Sequence, residues 1–122
     1  MARTRQSAKA AGSRMERMVA DHLRDKLGIR EIDRMPKTGA LDKGDVSNVR
    51  DSHDRLLAVE VKNTTRQNLA GWMAEAHTEA ENYGAHVGVV VSKRHGVGDP
   101  GKQWVHLELD DLIALLKGPE NG

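Results

Sequence analysis

Cysteine and phenylalanine are absent from this sequence of 122 residues, and aromatic residues make up only 2% of it. The absence of cysteine excludes disulfide bonds, thiol catalysis and zinc sites built on thiolates. No apolar run approaches the roughly 20 residues that cross a bilayer, and no apolar stretch of the kind that directs secretion begins the sequence. We therefore expect a soluble, cytoplasmic protein without a membrane partner, of one domain with an aliphatic core.

Positive charge is concentrated in the first half of the chain. Residues 1–50 contain twelve Lys and Arg against seven Asp and Glu, whereas residues 51–122 contain seven against eleven. The segment 1–12 has no apolar periodicity, and we predict that it is a flexible basic arm. Such an arm fits a polyanionic partner such as DNA, because each neutralised phosphate releases counterions. The alternative is a solvated tail that keeps the protein in solution.

The hydrophobic pattern predicts an α/β domain over residues 13–118, followed by a short tail at 119–122. Apolar residues at helical spacing indicate helices at 13–27, 68–83 and 110–117. Alternating or continuous apolar residues indicate strands at 29–35, 45–49, 56–62, 86–92 and 104–109. This order of elements is typical of a mixed sheet with helices packed on it.

Two charged residues, Glu60 and Lys62, share one face of the predicted strand 56–62. Asp45 begins the preceding predicted strand, where a hairpin would bring it beside Glu60. Two carboxylates at the same end of a hairpin repel each other unless a cation lies between them, and oxygen ligands favour Mg²⁺ or Mn²⁺. The alternative for an isolated Glu-x-Lys pair is an exposed ion pair on an edge strand.

A metal held in this way supports hydrolysis of a phosphodiester. The cation lowers the pKa of a bound water and stabilises the charge that develops on the phosphate. Lys62 would position or deprotonate the attacking water, or balance charge in the transition state.

The pattern Asp45…Glu60-Val61-Lys62 resembles the signature of the PD-(D/E)xK nuclease superfamily. The segment Gly12–Val19 is similar to the opening G-x-x-x-E-R-x-V helix of archaeal-type and phage Holliday junction resolvases in that superfamily. The segment Arg34–Gly39 is similar to the loop that carries a hydroxyl group before the metal-binding aspartate of these resolvases. The similarity covers residues 12–93.

The resemblance implies the restriction-endonuclease-like fold, a central mixed β-sheet flanked by helices. It implies a Mg²⁺-dependent endodeoxyribonuclease, with Mn²⁺ as a substitute, that resolves four-way DNA junctions by paired nicks in DNA recombination and repair. A four-way junction is two-fold symmetric, so a homodimer is expected. If the protein is phage-encoded, its location would be the cytoplasm of the host cell.

The resemblance also implies the roles of the site residues. Asp45 and Glu60 would hold the metal, Glu16 would complete its ligands, Lys62 would assist the water, and Thr38 would contact the scissile phosphate. Glu16 shares a helix face with apolar residues, and a buried carboxylate requires a partner. The alternative for Glu16 is a helix-capping box with Ser13.

Nine basic residues are predicted to contact the DNA backbone: Arg3, Arg5, Lys9, Arg14, Arg17, Arg34, Lys37, Lys93 and Arg94. For Arg17 and Arg34 the alternative is plain surface charge. Two other functions stay open. One is another nuclease of the superfamily, of the restriction, repair or flap type, and the other is a non-catalytic DNA-binding module. The complete Asp45, Glu60 and Lys62 set argues against the non-catalytic module.

Overall fold

The computed structural model describes residues 3–120. Residues 1–2 and 121–122, the ends of the predicted arm and tail, lie outside the described residues. The described helices are α1 (Arg5–Leu27), α2 (Leu69–Tyr83) and α3 (Leu109–Leu116), with a short 3-10 helix (Pro100–Lys102). The described strands are β1 (Asp33–Arg34), β2 (Val46–Ser47), β3 (Leu57–Lys62), β4 (Val87–Ser92) and β5 (Trp104–His106). None of the helices in this range is both long and apolar enough to cross a bilayer.

The strands form one mixed sheet in the order β1-β2-β3-β4-β5. The central strands β3 and β4 run parallel and are joined by α2, which makes the crossover connection that parallel neighbours need. The other neighbouring strands are antiparallel. This is the restriction-endonuclease-like arrangement, so the predicted fold class is confirmed.

Helices cover the sheet on both faces, and the alternation of side chains along β3 separates the two layers. Val59 and Val61 pack in one layer with Met15 and Val19 of α1. Partly buried residues of α3 complete that layer. On the opposite face, α2 packs against Val90 of β4. A charged residue on the second face of β3 therefore points toward α2.

Helix α1 begins at Arg5 rather than at Ser13, so the prediction of a flexible arm is wrong for residues 5–12. The side chain of Thr4 accepts a hydrogen bond from a backbone N–H of the first turn and caps the helix. Alanine-rich sequence then sustains the helix, because alanine is the strongest helix former. Ala11 is buried against the rest of the protein. The basic residues of this segment therefore project from a packed helix.

Candidate active site

Asp45 follows a glycine whose backbone lies against the central strand. Gly44 has a φ of +98°, and a Cβ at this position would lie 2.9 Å from the carbonyl oxygen of Val59. The backbone N–H of Asp45 donates to the same carbonyl oxygen at 2.7 Å. The Asp45 carboxylate accepts a hydrogen bond from the backbone N–H of Val61 at 2.8 Å. These contacts fix the Asp45 carboxylate beside Glu60.

Glu60 points into the layer between the sheet and α2. It lies opposite Val90 in the parallel ladder, and Val90 packs against Trp72 and Met73 of α2. The Glu60 side chain is only 7% exposed. Burial, together with the hydrogen bond and the charge of Asp45, raises the pKa of Glu60 to about 11. A divalent cation beside Glu60 would oppose this shift and favour the charged carboxylate.

Two further carboxylates meet Glu60: Glu79 comes from α2 and Asp42 from the loop before β2. Ligand oxygens of the three residues lie within 4.8 Å of one another. Glu79 is 2% exposed, and neither of its carboxylate oxygens has a hydrogen-bond partner among the described residues. Burial and the charge of Asp42 raise the pKa of Glu79 to about 8. Neither residue belongs to the site predicted from the sequence.

The sequence does contain a signal for Glu79. Glu79 follows Trp72 and Ala76 on the stripe of α2 that packs against the sheet, at helical spacing. A carboxylate on a buried helix face requires a partner. The sequence contains no such signal for Asp42. The side-chain amide of Asn82 on α2 donates to the Asp42 carbonyl oxygen at 2.8 Å, so the position of Asp42 depends on a contact with a distant part of the chain.

This group of carboxylates fits a divalent cation of the Mg²⁺ or Mn²⁺ type. All of its ligand atoms are carboxylate oxygens, which hard cations prefer over nitrogen or sulfur ligands. Buried carboxylate oxygens without a donor are strongly unfavourable unless positive charge compensates them. A cation beside Glu60 and Glu79 would provide that charge.

Lys62 lies on the same face of β3 as Glu60. Its Nζ is 3.0 Å from Oε2 of Glu75 and 3.7 Å from Oε2 of Glu60. Burial alone lowers the pKa of Lys62, but the hydrogen bond to Glu75 and the charge of Glu60 outweigh it, so the pKa is raised. Lys62 is therefore a fixed ammonium group at neutral pH. It is better suited to balance negative charge and to hold a water than to accept a proton.

The loop before β2 encloses a cavity of about 370 Å³ beside Asp45, lined by residues 35–44 and Tyr83. Thr38 lines this cavity. The Nζ of Lys37 is 3.6 Å from Oδ1 of Asp45, and the Lys37 side chain is 74% exposed. A phosphate group in this cavity would therefore be near the residues of this loop, which include Thr38, and near the Lys37 ammonium group beside Asp45.

Glu16 is not one of the carboxylates that meet Glu60. The guanidinium of Arg34 donates to Oε1 of Glu16 at 3.0 Å, which supplies the partner that a partly buried carboxylate needs. Helix α1, which carries Glu16, packs on the sheet face opposite to the one from which Glu60 points. The capping-box interpretation is wrong, because Ser13 lies inside α1 and Thr4 is the N-cap.

The basic residues predicted to contact DNA fall into two groups. Arg5, Lys9, Arg14 and Lys37 are exposed, and of these Lys37 also lies 3.6 Å from Asp45. The others make contacts within the protein: Arg3 with Asn63, Arg17 with Asp21 and Asp33, Arg34 with Glu16, Lys93 with the carbonyls of Arg94 and Val97, and Arg94 with the Trp104 ring at 4.5 Å. The contact of Arg3 with Asn63 holds the start of the chain near the end of β3. Basic residues of α1 therefore lie near the strand that carries Lys62.

A second acidic group lies between α2 and α3. Ligand atoms of His77, Glu108 and Asp111 also lie within 4.8 Å of one another. Glu108 and Asp111 form the capping box of α3, in which the backbone N–H of Glu108 donates to Asp111 at 2.9 Å. Nε2 of His77 lies 2.9 Å from the same Asp111 oxygen. Helix capping therefore explains this group, and no cation is needed to account for it.

A mixed sheet whose central strand carries Glu-x-Lys beside an aspartate from the preceding strand defines the PD-(D/E)xK nuclease superfamily. Within this superfamily, the chain belongs to the family described as "Phage putative PDDEXK endonuclease", whose model matches residues 7–118. No curated protein and no solved structure is significantly similar to the chain. Membership of an endonuclease family implies DNA as the substrate, and nucleases of this type typically use divalent metals.

Proposed function

We propose that this protein is a Mg²⁺-dependent endonuclease, with Mn²⁺ as a substitute, that resolves four-way Holliday junctions by paired nicks. The observation that carries the proposal is the convergence of Asp45, Glu60 and Lys62 where β2 and β3 meet. The choice of a branched substrate rests on the resemblance of Gly12–Val19 and Arg34–Gly39 to the resolvases. The protein would act in the cytoplasm, that of the host cell if it is phage-encoded.

Asp45 and Glu60 are the residues that hold the metal in this proposal. Asp45 is oriented by the backbone N–H of Val61, and Glu60 is fixed by burial against α2. A divalent cation bound there supplies an activated water and stabilises charge on the reacting phosphate. Lys62, held by Glu75, balances the negative charge that develops when the water oxygen bonds to phosphorus and a phosphodiester P–O bond breaks.

Two residues of the loop before β2 contact the substrate phosphate. Thr38 donates its hydroxyl proton to a phosphate oxygen, and Lys37 provides a positive charge within reach of Asp45. Both act by binding and orienting the phosphate, which places the scissile bond next to the metal ligands. We assign Glu16 a different role, which is to hold Arg34 in place through their ion pair.

DNA binding depends on the two groups of basic residues in different ways. Arg5, Lys9 and Arg14 project from α1 and can neutralise phosphates without giving up a partner inside the protein. Arg17, Arg34, Lys93 and Arg94 bind phosphate only by sharing or exchanging their present contacts. The exposed group is therefore expected to contribute most of the salt-dependent affinity.

Paired nicks in a symmetric junction require two active sites, and we propose a homodimer. The outward face of α3 supports this proposal, because Leu109, Leu112, Ile113 and Leu116 are all exposed large apolar residues. A second copy of α3 would cover this self-complementary face across a two-fold axis. Leu109→Lys with Leu116→Lys should give a monomer in analytical ultracentrifugation, whereas Leu27→Lys, at the end of α1, should not change the mass of the assembly.

The function is tested by cleavage of three DNA substrates: a four-way junction, a flap and a linear duplex, each with Mg²⁺ and with EDTA. The proposal expects Mg²⁺-dependent, symmetric nicks in the junction and little cleavage of the other two. Equal cleavage of linear duplex, or cleavage of the flap alone, would identify another nuclease of the superfamily. Binding without cleavage in Mg²⁺ or Mn²⁺ would identify the non-catalytic module.

A further inference from the structure

The side chain of Glu79 is buried among other acidic groups. Both of its oxygens are buried without a hydrogen-bond partner in residues 3–120, and the residue is 2% exposed. Most buried polar groups in proteins have a partner, so an unsatisfied pair of carboxylate oxygens requires an explanation. The same helix also has exposed positions, such as that of Glu81. The burial of Glu79 is therefore not shared by every glutamate of α2.

Two lysines of the candidate site contact carboxylates other than Glu79. Lys62 is 3.0 Å from Glu75 and 3.7 Å from Glu60, and Lys37 is 3.6 Å from Asp45. Glu79 instead faces two more acidic groups, Glu60 and Asp42, with ligand oxygens within 4.8 Å of one another. The surroundings of Glu79 are therefore those of a cation ligand rather than those of an ion pair.

We propose that Asp42, Glu60 and Glu79 form a second divalent-cation position, which shares Glu60 with the Asp45–Glu60 position. A carboxylate has two oxygens and can bridge two cations, which lie about 3.5–4 Å apart in two-metal nuclease sites. The ligand set contains only carboxylate oxygens, so the cation is a hard one such as Mg²⁺ or Mn²⁺. The inference rests on the proposed function in one respect, since the first position is the one proposed there.

Asp42 is already held in a geometry that suits this role. Its carbonyl oxygen accepts a hydrogen bond from Asn82 of α2 at 2.8 Å, and its Oδ1 accepts one from the backbone N–H of Gly44 at 3.0 Å. These bonds orient the side chain and leave the second carboxylate oxygen to bind a cation. Glu16, by contrast, is paired with Arg34. The second position therefore draws on α2 and the loop before β2, and not on α1.

The experiment counts bound Mn²⁺ by electron paramagnetic resonance and calorimetric titration of the full-length protein, without DNA and without any activity readout. The wild type should bind two Mn²⁺ per chain. Glu79→Gln and Asp42→Asn should each bind one, because either change removes a charged ligand from the second position only. The matched control is Glu81→Gln, an exposed substitution on the same helix, which should still bind two.

A count of one Mn²⁺ in the wild type, or of two in both Glu79→Gln and Asp42→Asn, would overturn the second position. Asp45→Asn separates this inference from the proposed function. That variant should also lower the number of bound Mn²⁺ from two to one. An unchanged number would contradict the Asp45–Glu60 position. The second position would then still be tested by Glu79→Gln and Asp42→Asn. Asp42 is exposed and Asn keeps its Oδ1 acceptor, so Asp42→Asn should fold even if Glu79→Gln does not.

Thermal unfolding gives an independent readout of the same position. In EDTA, Glu79→Gln should unfold at a higher temperature than the wild type, because it removes a carboxylate that has no donor. On addition of Mn²⁺ the wild type should gain more stability than Glu79→Gln. Only the wild type binds the second ion, and an ion that binds the folded state stabilises it. Equal gains by the two proteins would contradict the proposal.

Discussion

Helix α2 contributes to two acidic groups, and they differ in how their carboxylates are satisfied. In the group of Asp42, Glu60 and Glu79, the oxygens of Glu79 are buried without a partner in the described chain. In the group of His77, Glu108 and Asp111, one Asp111 oxygen accepts a hydrogen bond from the backbone N–H of Glu108. That oxygen also contacts His77. The distance between ligand atoms does not separate the two groups, because it lies within 4.8 Å in both.

If the proposed second position is correct, burial without a hydrogen-bond partner, and not proximity of carboxylates, is the feature that distinguishes a cation site from a structural one. The second group is accounted for by a helix cap, which stabilises α3 by about 1 kcal/mol as caps generally do. In the first group, no hydrogen bond within the described residues accounts for the buried oxygens of Glu79. Changes to the two groups should therefore have different consequences.

The largest difference is expected in catalysis. Asp45→Asn or Glu60→Gln should lower the rate of junction cleavage by about 10³-fold or more, because metal stabilisation is worth several kcal/mol and about 1.36 kcal/mol is tenfold in rate. Junction binding should stay intact or tighten, since a carboxylate that repels phosphate is removed. Asp111→Asn, which alters the capping group, should cleave like the wild type. Single-turnover cleavage and electrophoretic binding assays measure both quantities.

A smaller difference is expected in stability, at the glycine that positions Asp45. Gly44→Ala should lower the free energy of unfolding by about 1–3 kcal/mol, because its φ of +98° and the nearby Val59 carbonyl oxygen leave no room for a Cβ. The control is Gly12→Ala in α1, where a Cβ meets nothing within 4 Å. That change should stabilise the protein by up to about 1 kcal/mol. Urea unfolding measures both, and equal midpoints would contradict the role of Gly44.

The two acidic groups also differ in the positive charge around them. Exposed cations of α1 lie near the end of β3, the strand that carries Glu60. Arg5→Gln and Lys9→Gln should each reduce the slope of log affinity against log salt by about 0.9 on duplex arms, if each residue neutralises one phosphate. Point substitutions are needed, because deletion of residues 1–11 would also remove the Thr4 cap and the buried Ala11.

Lys26→Gln, at the opposite end of α1, serves as the control for this salt titration. It removes the same charge from the same helix, in the last turn instead of the first. Its salt slope should equal that of the wild type. Identical slopes for all three variants and the wild type would show that the start of α1 does not bind phosphate.

The smallest effect concerns the capping group and depends on pH. The hydrogen bond to Asp111 raises the pKa of His77 above its usual value near 6.5, although partial burial opposes this. A raised folded-state pKa means that the pair stabilises the protein fully below pH 6.5, and that this contribution is lost as pH rises through the folded pKa. Amides of α3 should therefore exchange faster relative to the intrinsic rate at pH 8 than at pH 6. His77→Gln should abolish this difference.

The central part of the fold could be predicted because its signals are dense. The strand predicted at 56–62 and the helix predicted at 68–83 match β3 and α2 to within one residue at each end. The strand predicted at 29–35 shrinks to β1, because a turn closed by a hydrogen bond from Ile32 N–H to the Ile29 carbonyl oxygen occupies its first part. Alternation of apolar residues does not distinguish such a turn from a strand.

The start of α1 and the meeting of Asp42 and Glu79 with Glu60 could not be predicted from the spacing of residues in the sequence. The first turns of α1 bury little apart from Ala11, so helix propensity and the Thr4 cap form them without apolar periodicity. Asp42 and Glu79 meet Glu60 only because the α2 crossover places a helix on the Glu60 face and Asn82 holds the loop against it. Contacts of this kind depend on topology rather than on local spacing.

Gly44 also bears on how members of this superfamily are recognised. Proline is restricted to φ near −65°, whereas the backbone here requires +98° and no side chain at all. The proline of the PD motif therefore cannot occupy position 44 of this chain, and a sequence pattern that requires this proline would not match the protein. What such patterns should match at this position is a backbone that lets the aspartate approach the central strand, whichever residue achieves it.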